Sequence, residues 1–186
     1  MDERSIRAVP VLNEDRTCRG LVSLFKMGKF FFPTPNRLID SRPICASVRN
    51  LARTLNGQIV QAREPDREEE LVLMIGAMSV ESFEQRLAKF PPEKIVVVAG
   101  DRADIQSVAI RERVRVIVIT GGLLAADSVI AEARQNGVSV ILSPHDSATT
   151  AMLSRASITV PHVIHEEFLV FREDESLEHA RPIAIE

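Results

Sequence analysis

The chain has 186 residues and a formal net charge of −3, with 45% hydrophobic residues and a mean hydropathy of +0.04. This composition supports a packed core and excludes a disordered chain. Because the chain is mildly acidic and has no Trp and no Tyr, it lacks the basic surface and the aromatic platforms that general nucleic-acid binding requires. The first ten residues are charged and predict no signal peptide, and no apolar run approaches the roughly 20 residues of a membrane span. We therefore expect a cytoplasmic protein that contacts neither nucleic acid nor membrane.

The N-terminal segment predicts a β-hairpin. Apolar runs at 9–12 and 19–24 flank a polar turn at 13–16. A short helix is predicted to follow as far as about Phe31, and Pro33 and Pro35 then predict a linker over 33–45.

From residue 46 onward the pattern alternates between helices and strands. Strands are predicted over 58–62, 71–75, 94–99, 115–119 and 139–142, and helices over 46–55, 79–90, 104–113, 126–135 and 147–155. Nearly continuous Val/Ile strands between helices of this length are typical of a parallel sheet. The fold class we predict is α/β, an open, mainly parallel sheet with helices on both faces. In the tail, a strand is a candidate at 168–171.

Three of the predicted strands end in polar loops, at 100–104, 120–122 and 143–150. The carboxyl ends of parallel strands share one edge of an open sheet, and ligands bind at that edge. Helix amino termini at the same edge present free N–H groups, which suit a phosphate or a carboxylate. The loop at 76–79 also follows a strand and is a candidate for this edge.

Individual residues of these loops have a binding interpretation and a structural one. Gly121 and Gly122 could bring backbone amides close to a ligand or form only a tight turn, and Arg102 could bind a phosphate with its planar fork. The other polar residues could equally be helix caps or ordinary loop residues: Asp101, Asp104, His145, Asp146 and Ser147. Their coincidence at one edge favours a small anionic ligand but gives no argument for catalysis.

Enzyme motifs are absent from the sequence. It contains no G-x-x-x-x-G-K-[ST], no G-x-G-x-x-G after a strand and no G-x-S-x-G. Cys18 and Cys45 fit no metal-binding spacing and no disulfide framework. His162 and His165 are interpreted as surface or packing residues. We predict no catalytic residue and no metal site.

The run at 100–122, GDRADIQSVAIRERVRVIVITGG, resembles the DRTGG domain, a family named for a split Asp-Arg and Thr-Gly-Gly signature. A second family element, Pro-x-Asp-Thr-x-x-Thr at a strand end, is similar to residues 144–150, where Ser147 replaces the first Thr. The resemblance covers 46–157. It implies a ligand site formed by Asp101, Arg102, Gln106, Thr120, Gly121, Gly122, Asp146, Ser147, Thr149 and Thr150.

The two flanks resemble incomplete CBS units of α+β type. Residues 9–23 are similar to the second half of one unit, and residues 160–180 look like the first half of another. In CBS units a Ser or Thr meets the phosphate of an adenosine nucleotide, and an Asp three residues later holds the ribose. Ser23 matches the first position, whereas Lys26 stands at the second. The resemblance implies four segments: a partial CBS-like unit at 1–32, a linker at 33–45, a DRTGG-like domain at 46–157 and the start of a second CBS-like unit at 158–186.

The order CBS, DRTGG, CBS resembles the regulatory insert of manganese-dependent family II inorganic pyrophosphatases. This implies a non-catalytic regulatory module that senses an adenine nucleotide or another phosphate-bearing ligand, forms a homodimer and tunes an attached or partner pyrophosphatase domain. Two alternatives stay open, a ligand-free dimerising spacer and a fragment of a manganese-dependent pyrophosphatase.

Overall fold

A computed structural model describes the chain at residues 6–23, 25, 27–28, 43–164, 169–171, 174–176, 178 and 181–182. The chain divides into two compact units, one formed by 1–28 with 163–186 and the other by 29–162. The four predicted segments stay a prediction. No helix within the described residues has the length and apolar character needed to cross a bilayer.

The first unit contains the predicted hairpin. Strands β1 (Ala8–Leu12) and β2 (Cys18–Ser23) pair antiparallel. The helix predicted after the hairpin is described only at Phe25, Met27 and Gly28, which are helical. The strand predicted at 168–171 is wrong where it is described, because residues 169–171 form no strand. An apolar run alone does not supply the partner whose hydrogen bonds define a strand.

The second unit is an α/β domain whose elements alternate as predicted. Its strands are β3 (Ile44–Ala46), β4 (Gln58–Gln61), β5 (Glu69–Ile75), β6 (Ile95–Ala99), β7 (Val116–Ile119) and β8 (Ser139–Leu142). Its helices are α1 (Val48–Thr54), α2 (Val80–Leu87), α3 (Ala103–Arg111), α4 (Asp127–Asn136) and α5 (Ser147–Ser154). Short 3₁₀ turns lie at Pro92–Lys94, Arg155–Ser157 and Val160–His162.

The six strands form one sheet in the order β3-β5-β6-β7-β8-β4. The four central strands are parallel, and the two edge strands run antiparallel to their neighbours. This is the open, mainly parallel sheet that the Val/Ile runs predicted. The carboxyl ends of β6, β7 and β8 therefore lie side by side at one edge, which we call the carboxyl edge. The opposite edge, where these strands begin, is called the amino edge.

Successive strand residues point to opposite sides of the sheet. Because both sides are apolar here, helices cover both faces. On one face, Val97 of β6 packs in a core with Phe83 of α2 and Ile105 of α3. On the other face, Val96 and Val98 join a core with helix α1. All five β6 residues are buried, which explains the continuous apolar sequence of this strand.

The short strand β3 departs from the sequence prediction. It pairs antiparallel with β5, with Cys45 opposite Glu70, although the sequence placed residues 44 and 45 in a linker. Three residues are too few to show the alternating pattern by which a strand is recognised. The pairing with β5, which no local signal reveals, makes this segment part of the sheet.

Candidate functional site

The carboxyl edge brings together the three loops that the sequence assigned to a ligand. Strands β6, β7 and β8 are adjacent and parallel, so the loops beginning at Gly100, Thr120 and Ser143 are neighbours. The loop at 76–79 joins them, because the Arg102 guanidinium donates a hydrogen bond to the Met78 carbonyl at 3.1 Å. The predicted convergence of four loops is present in the structure.

The Thr-Gly-Gly turn is built on two consecutive left-handed residues, Gly121 (φ 80°) and Gly122 (φ 68°). Residues that carry a side chain rarely adopt this backbone conformation, which accounts for glycine at both positions. The Gly121 amide donates to the His145 carbonyl at 2.6 Å, and the Gly122 amide donates to the Ser143 carbonyl at 3.0 Å. Both amides therefore tie the β7 loop to the β8 loop in this structure, instead of facing an open ligand position.

Buried hydroxyl groups form a second set of connections at this edge, which includes helix α5. Thr120 Oγ1 lies 2.8 Å from Ser147 Oγ, and Ser143 Oγ lies 3.0 Å from Thr150 Oγ1. Thr120, Ser143 and Thr150 are each at most 2% exposed. Because a buried hydroxyl without a partner is costly, these pairs fix the spacing between β7, β8 and helix α5.

The β6 loop is organised by its own residues. The Arg102 guanidinium forms a two-pronged ion pair with the Asp104 carboxylate, with N–O distances of 3.0 and 2.6 Å. This guanidinium lowers the pKa of Asp104 to about 2. The amide of the buried Gln106 side chain donates to the Gly100 carbonyl at 2.7 Å and holds the start of the loop. Asp101 is exposed.

Asp146 is the cap of helix α5. Its carboxylate accepts hydrogen bonds from the Thr149 amide at 2.8 Å and the Thr149 hydroxyl at 2.9 Å. The backbone hydrogen bond from Thr149 is the largest cause of the lowered pKa of Asp146. The capping interpretation of this residue therefore holds, and the amino end of α5 already has a carboxylate bound to it.

The charged groups of the carboxyl edge suit a ligand that carries both hydroxyl groups and a phosphate. Asp101, Asp104 and Asp146 are exposed carboxylates, and Arg102 contributes a guanidinium to the same loops. Carboxylates accept hydrogen bonds from hydroxyl groups such as those of a ribose, and a guanidinium binds phosphate. Arg102 would have to exchange Asp104 for a phosphate to do so.

Ser23, the candidate from the CBS-like flank, ends β2 in the other compact unit. Lys26, the residue at the ribose position of the CBS pattern, lies outside the described residues.

The amino edge contains a polar centre that the sequence analysis missed. Arg115 is 6% exposed and forms an ion pair with Glu69. Its guanidinium also donates to the Ser139 hydroxyl and to the carbonyls of Arg63 and Glu64, at 2.9 to 3.1 Å. A cavity of about 460 Å³ lies beside it. The sequence shows only a charged residue directly before a fully apolar strand. This pattern is common and does not indicate a buried ion pair.

Comparison with known proteins agrees with this architecture. The family model of the DRTGG domain matches residues 50–157. A cobalt-dependent inorganic pyrophosphatase of Clostridium perfringens is 27% identical over 173 residues, which are 91% of this chain and 30% of that protein. The chain thus spans about a third of the length of this curated relative.

A solved structure is similar over the whole chain. It contains the CBS and DRTGG domains of the regulatory region of Clostridium perfringens pyrophosphatase, complexed with the activator diadenosine tetraphosphate. The identity is 26%, the TM-score is 0.80, and the match covers 100% of this chain and 79% of that one. The resemblance to a pyrophosphatase regulatory region is thereby confirmed. The sequence suggested the manganese-dependent enzymes, whereas the name of the curated relative gives cobalt. Since the family model spans more than half of its residues, the chain belongs to the DRTGG domain family.

Proposed function

We propose that this chain is a regulatory module that binds an adenine nucleotide of the diadenosine polyphosphate type and controls an attached pyrophosphatase domain. The observation that carries the proposal is the similarity of the whole chain to a pyrophosphatase regulatory region solved with its activator, diadenosine tetraphosphate. A family match alone would support the fold and leave the ligand class open.

The carboxyl edge is the ligand position that we propose within the DRTGG domain. Helices α3, α4 and α5 all begin at this edge, so the positive ends of their dipoles meet there. Arg102 supplies the phosphate contact when it leaves Asp104, and Asp101 accepts hydrogen bonds from ribose hydroxyls. Ser23, in the other unit, stays a proposed phosphate contact because of the CBS resemblance.

The hydrogen-bonded loops suggest how binding is transmitted. The β7 loop is connected with the β8 loop and helix α5 by hydrogen bonds of Gly121, Gly122, Thr120 and Ser143. A displacement of one loop therefore displaces the other. A ligand that binds one arrangement of these loops better than another shifts the population between them. An attached catalytic domain then responds to that shift.

Calorimetric titration with diadenosine tetraphosphate, ADP and AMP tests the ligand and its position. We expect the native chain to bind at least one of them, Arg102→Ala to weaken that binding, and Arg111→Ala to leave it unchanged. Arg111 is the matched control because it lies at the other end of α3 and is likewise ion-paired on the surface. If binding depends on Ser23 and not on Arg102, the carboxyl edge is the wrong position. If none of these nucleotides binds, the proposed function fails.

We further propose that the module has no hydrolytic activity of its own. Two of the three carboxylates that the described carboxyl-edge loops carry already have partners, Asp104 with Arg102 and Asp146 with Thr149. We expect no phosphate release from pyrophosphate in the presence of Mn²⁺ or Co²⁺. Release that purification does not remove and that Asp146→Asn abolishes would contradict this.

A ligand-free dimerising spacer is the second candidate, and exposed apolar residues support it. Leu123 and Leu124, directly after the Thr-Gly-Gly turn, are 40% and 85% exposed. Adjacent apolar side chains in water are typical of a contact surface. A dimer in light scattering that Leu124→Lys dissociates, together with no nucleotide binding, would favour the spacer over the sensor.

A further inference from the structure

Three metal-binding side chains from distant parts of the sequence meet on the surface of the second unit. Cys45 belongs to strand β3, Glu68 directly precedes β5, and His162 ends the last 3₁₀ turn. Their sulfur, oxygen and nitrogen atoms all lie within 4.8 Å of one another. This cluster shares no residue with the loops of the carboxyl edge or with the Arg115 network, although Glu68 directly precedes Glu69, the partner of Arg115.

Tertiary structure creates this grouping. The pairing of β3 with β5 sets Cys45 opposite Glu70, and Glu68 lies two residues before Glu70, so both carboxylates fall on the same side of the strand as the thiol. The chain beyond α5 then returns to bring His162 to Glu68, with 3.8 Å between Nδ1 and Oε1.

Thr159 holds two of the three groups in position. Its hydroxyl donates to Glu68 Oε1 at 2.7 Å and lies 3.0 Å from His162 Nδ1. Metal ligands are commonly oriented by outer hydrogen bonds of this kind. The Glu68 and His162 side chains are 39% and 40% exposed, so both can move the short distance that closes around an ion.

We propose that Cys45, Glu68 and His162 bind one zinc-class divalent ion, Zn²⁺ or Co²⁺, with water at the fourth position. The donor set decides the class, because a thiolate with an imidazole and a carboxylate suits these ions and not Mg²⁺ or Ca²⁺. Tetrahedral bonds of about 2.0–2.3 Å place neighbouring ligand atoms roughly 3.3–3.7 Å apart. The cluster must therefore contract by about 1 Å, within the range of side-chain rotation.

The charge around the thiol agrees with a cation. Burial, together with the carboxylates of Glu68 and Glu70, raises the pKa of Cys45. A bound divalent ion offsets the negative charge of both carboxylates and takes the Cys45 sulfur as a ligand.

Co²⁺ is the probe for the test, because a cobalt-bound thiolate gives a charge-transfer absorption in the near ultraviolet. The whole chain is freed of metal with a chelator and titrated with Co²⁺. We expect this absorption to saturate at one Co²⁺ per chain and to disappear when Zn²⁺ is added. The melting temperature is expected to rise with either ion.

Substitutions assign the ligands. Cys45→Ser and His162→Gln should each weaken binding by more than about 100-fold, and Thr159→Val by about tenfold. Cys18→Ser and His145→Gln are the matched controls, since they remove the other described cysteine and another described histidine, and both should bind as the native chain does. Circular dichroism shows whether each variant is folded.

Alkylation of the native chain gives a second readout that needs no substitution. Bound Zn²⁺ should protect Cys45 from iodoacetamide, whereas the exposed Cys18 should react equally with and without the ion. The proposal is overturned if the native chain gives no thiolate absorption in excess Co²⁺, if Cys45→Ser retains it, or if Zn²⁺ protects both cysteines to the same degree.

Discussion

The two edges of the central sheet differ in how they are held together. At the carboxyl edge, the β7 and β8 loops are joined by neutral hydrogen bonds, such as Gly121 to His145 and Thr120 to Ser147. At the amino edge, one buried guanidinium, Arg115, binds Glu69 and two carbonyl groups. The family signature marks only the first edge. A sequence signature therefore does not reveal every position on which the fold depends.

Removing the guanidinium of Arg115 should have the largest effect. In Arg115→Met, the carbonyls of Arg63 and Glu64 lose a charged donor, and Glu69 keeps only its ion pair with Arg67. We therefore expect a loss of about 3 kcal/mol, at the lower end of the cost of breaking a buried pair. Urea denaturation followed by circular dichroism measures the loss. Arg111→Met is the control, because its exposed pair with Glu84 is worth at most about 1 kcal/mol. Equal stabilities of the two variants would show that the amino edge does not depend on Arg115.

At the carboxyl edge, Thr150→Val should destabilise the domain by about 1–3 kcal/mol. The substitution keeps the shape of a fully buried side chain but removes the hydroxyl that contacts Ser143. Thr149→Val is the control, since its half-buried hydroxyl contacts the exposed Asp146 and water can replace it. The same denaturation measurement applies, and a neutral Thr150→Val would mean that the hydroxyl layer is dispensable.

Gly122→Ala separates backbone strain from packing at the same edge. No atom lies within 4 Å of the added Cβ, so the expected loss of about 1–2 kcal/mol arises from the positive φ alone. Gly100→Ala provides the contrast, because its φ lies outside the left-handed region and the added Cβ would meet Thr120 Oγ1 at an ordinary 3.7 Å. If both variants lose the same stability, the left-handed turn is not the cause.

Acid should lower the stability of the fold at the carboxyl edge, and this is the smallest and most gradual of the expected effects. The pKa of Asp104 is lowered from 3.8 to about 2 by Arg102, and the pKa of Asp146 is lowered as well. Since these values lie below those of the unfolded chain, the ionised carboxylates stabilise the fold above about pH 4 and lose that contribution as pH falls toward 2. Melting temperatures measured across this range should fall less steeply in Asp104→Asn than in the native chain. Profiles of equal slope for Asp104→Asn and the native chain would show that the Arg102–Asp104 pair does not cause the loss.

Much of the domain could be predicted from local patterns. The Val/Ile runs identified the parallel strands, and Ser79 and Asp146 marked helix starts that the structure confirms with capping hydrogen bonds. The convergence of the polar loops followed from strand direction alone, because parallel strands end at a common edge. The hydrogen bonds of the Gly121 and Gly122 amides could not be predicted from the sequence, because their acceptors belong to a loop about 20 residues away.

The sequence by itself determined the α/β class, the order of most elements and the family, because each depends on short apolar periods and on neighbouring motif residues. Tertiary structure decided what those patterns cannot contain. It added β3 to the sheet through its pairing with β5, buried Arg115 against Glu69, and brought Cys45, Glu68 and His162 together. Each of these contacts joins residues far apart in the chain, and their distance in space is set by the packing of the whole sheet.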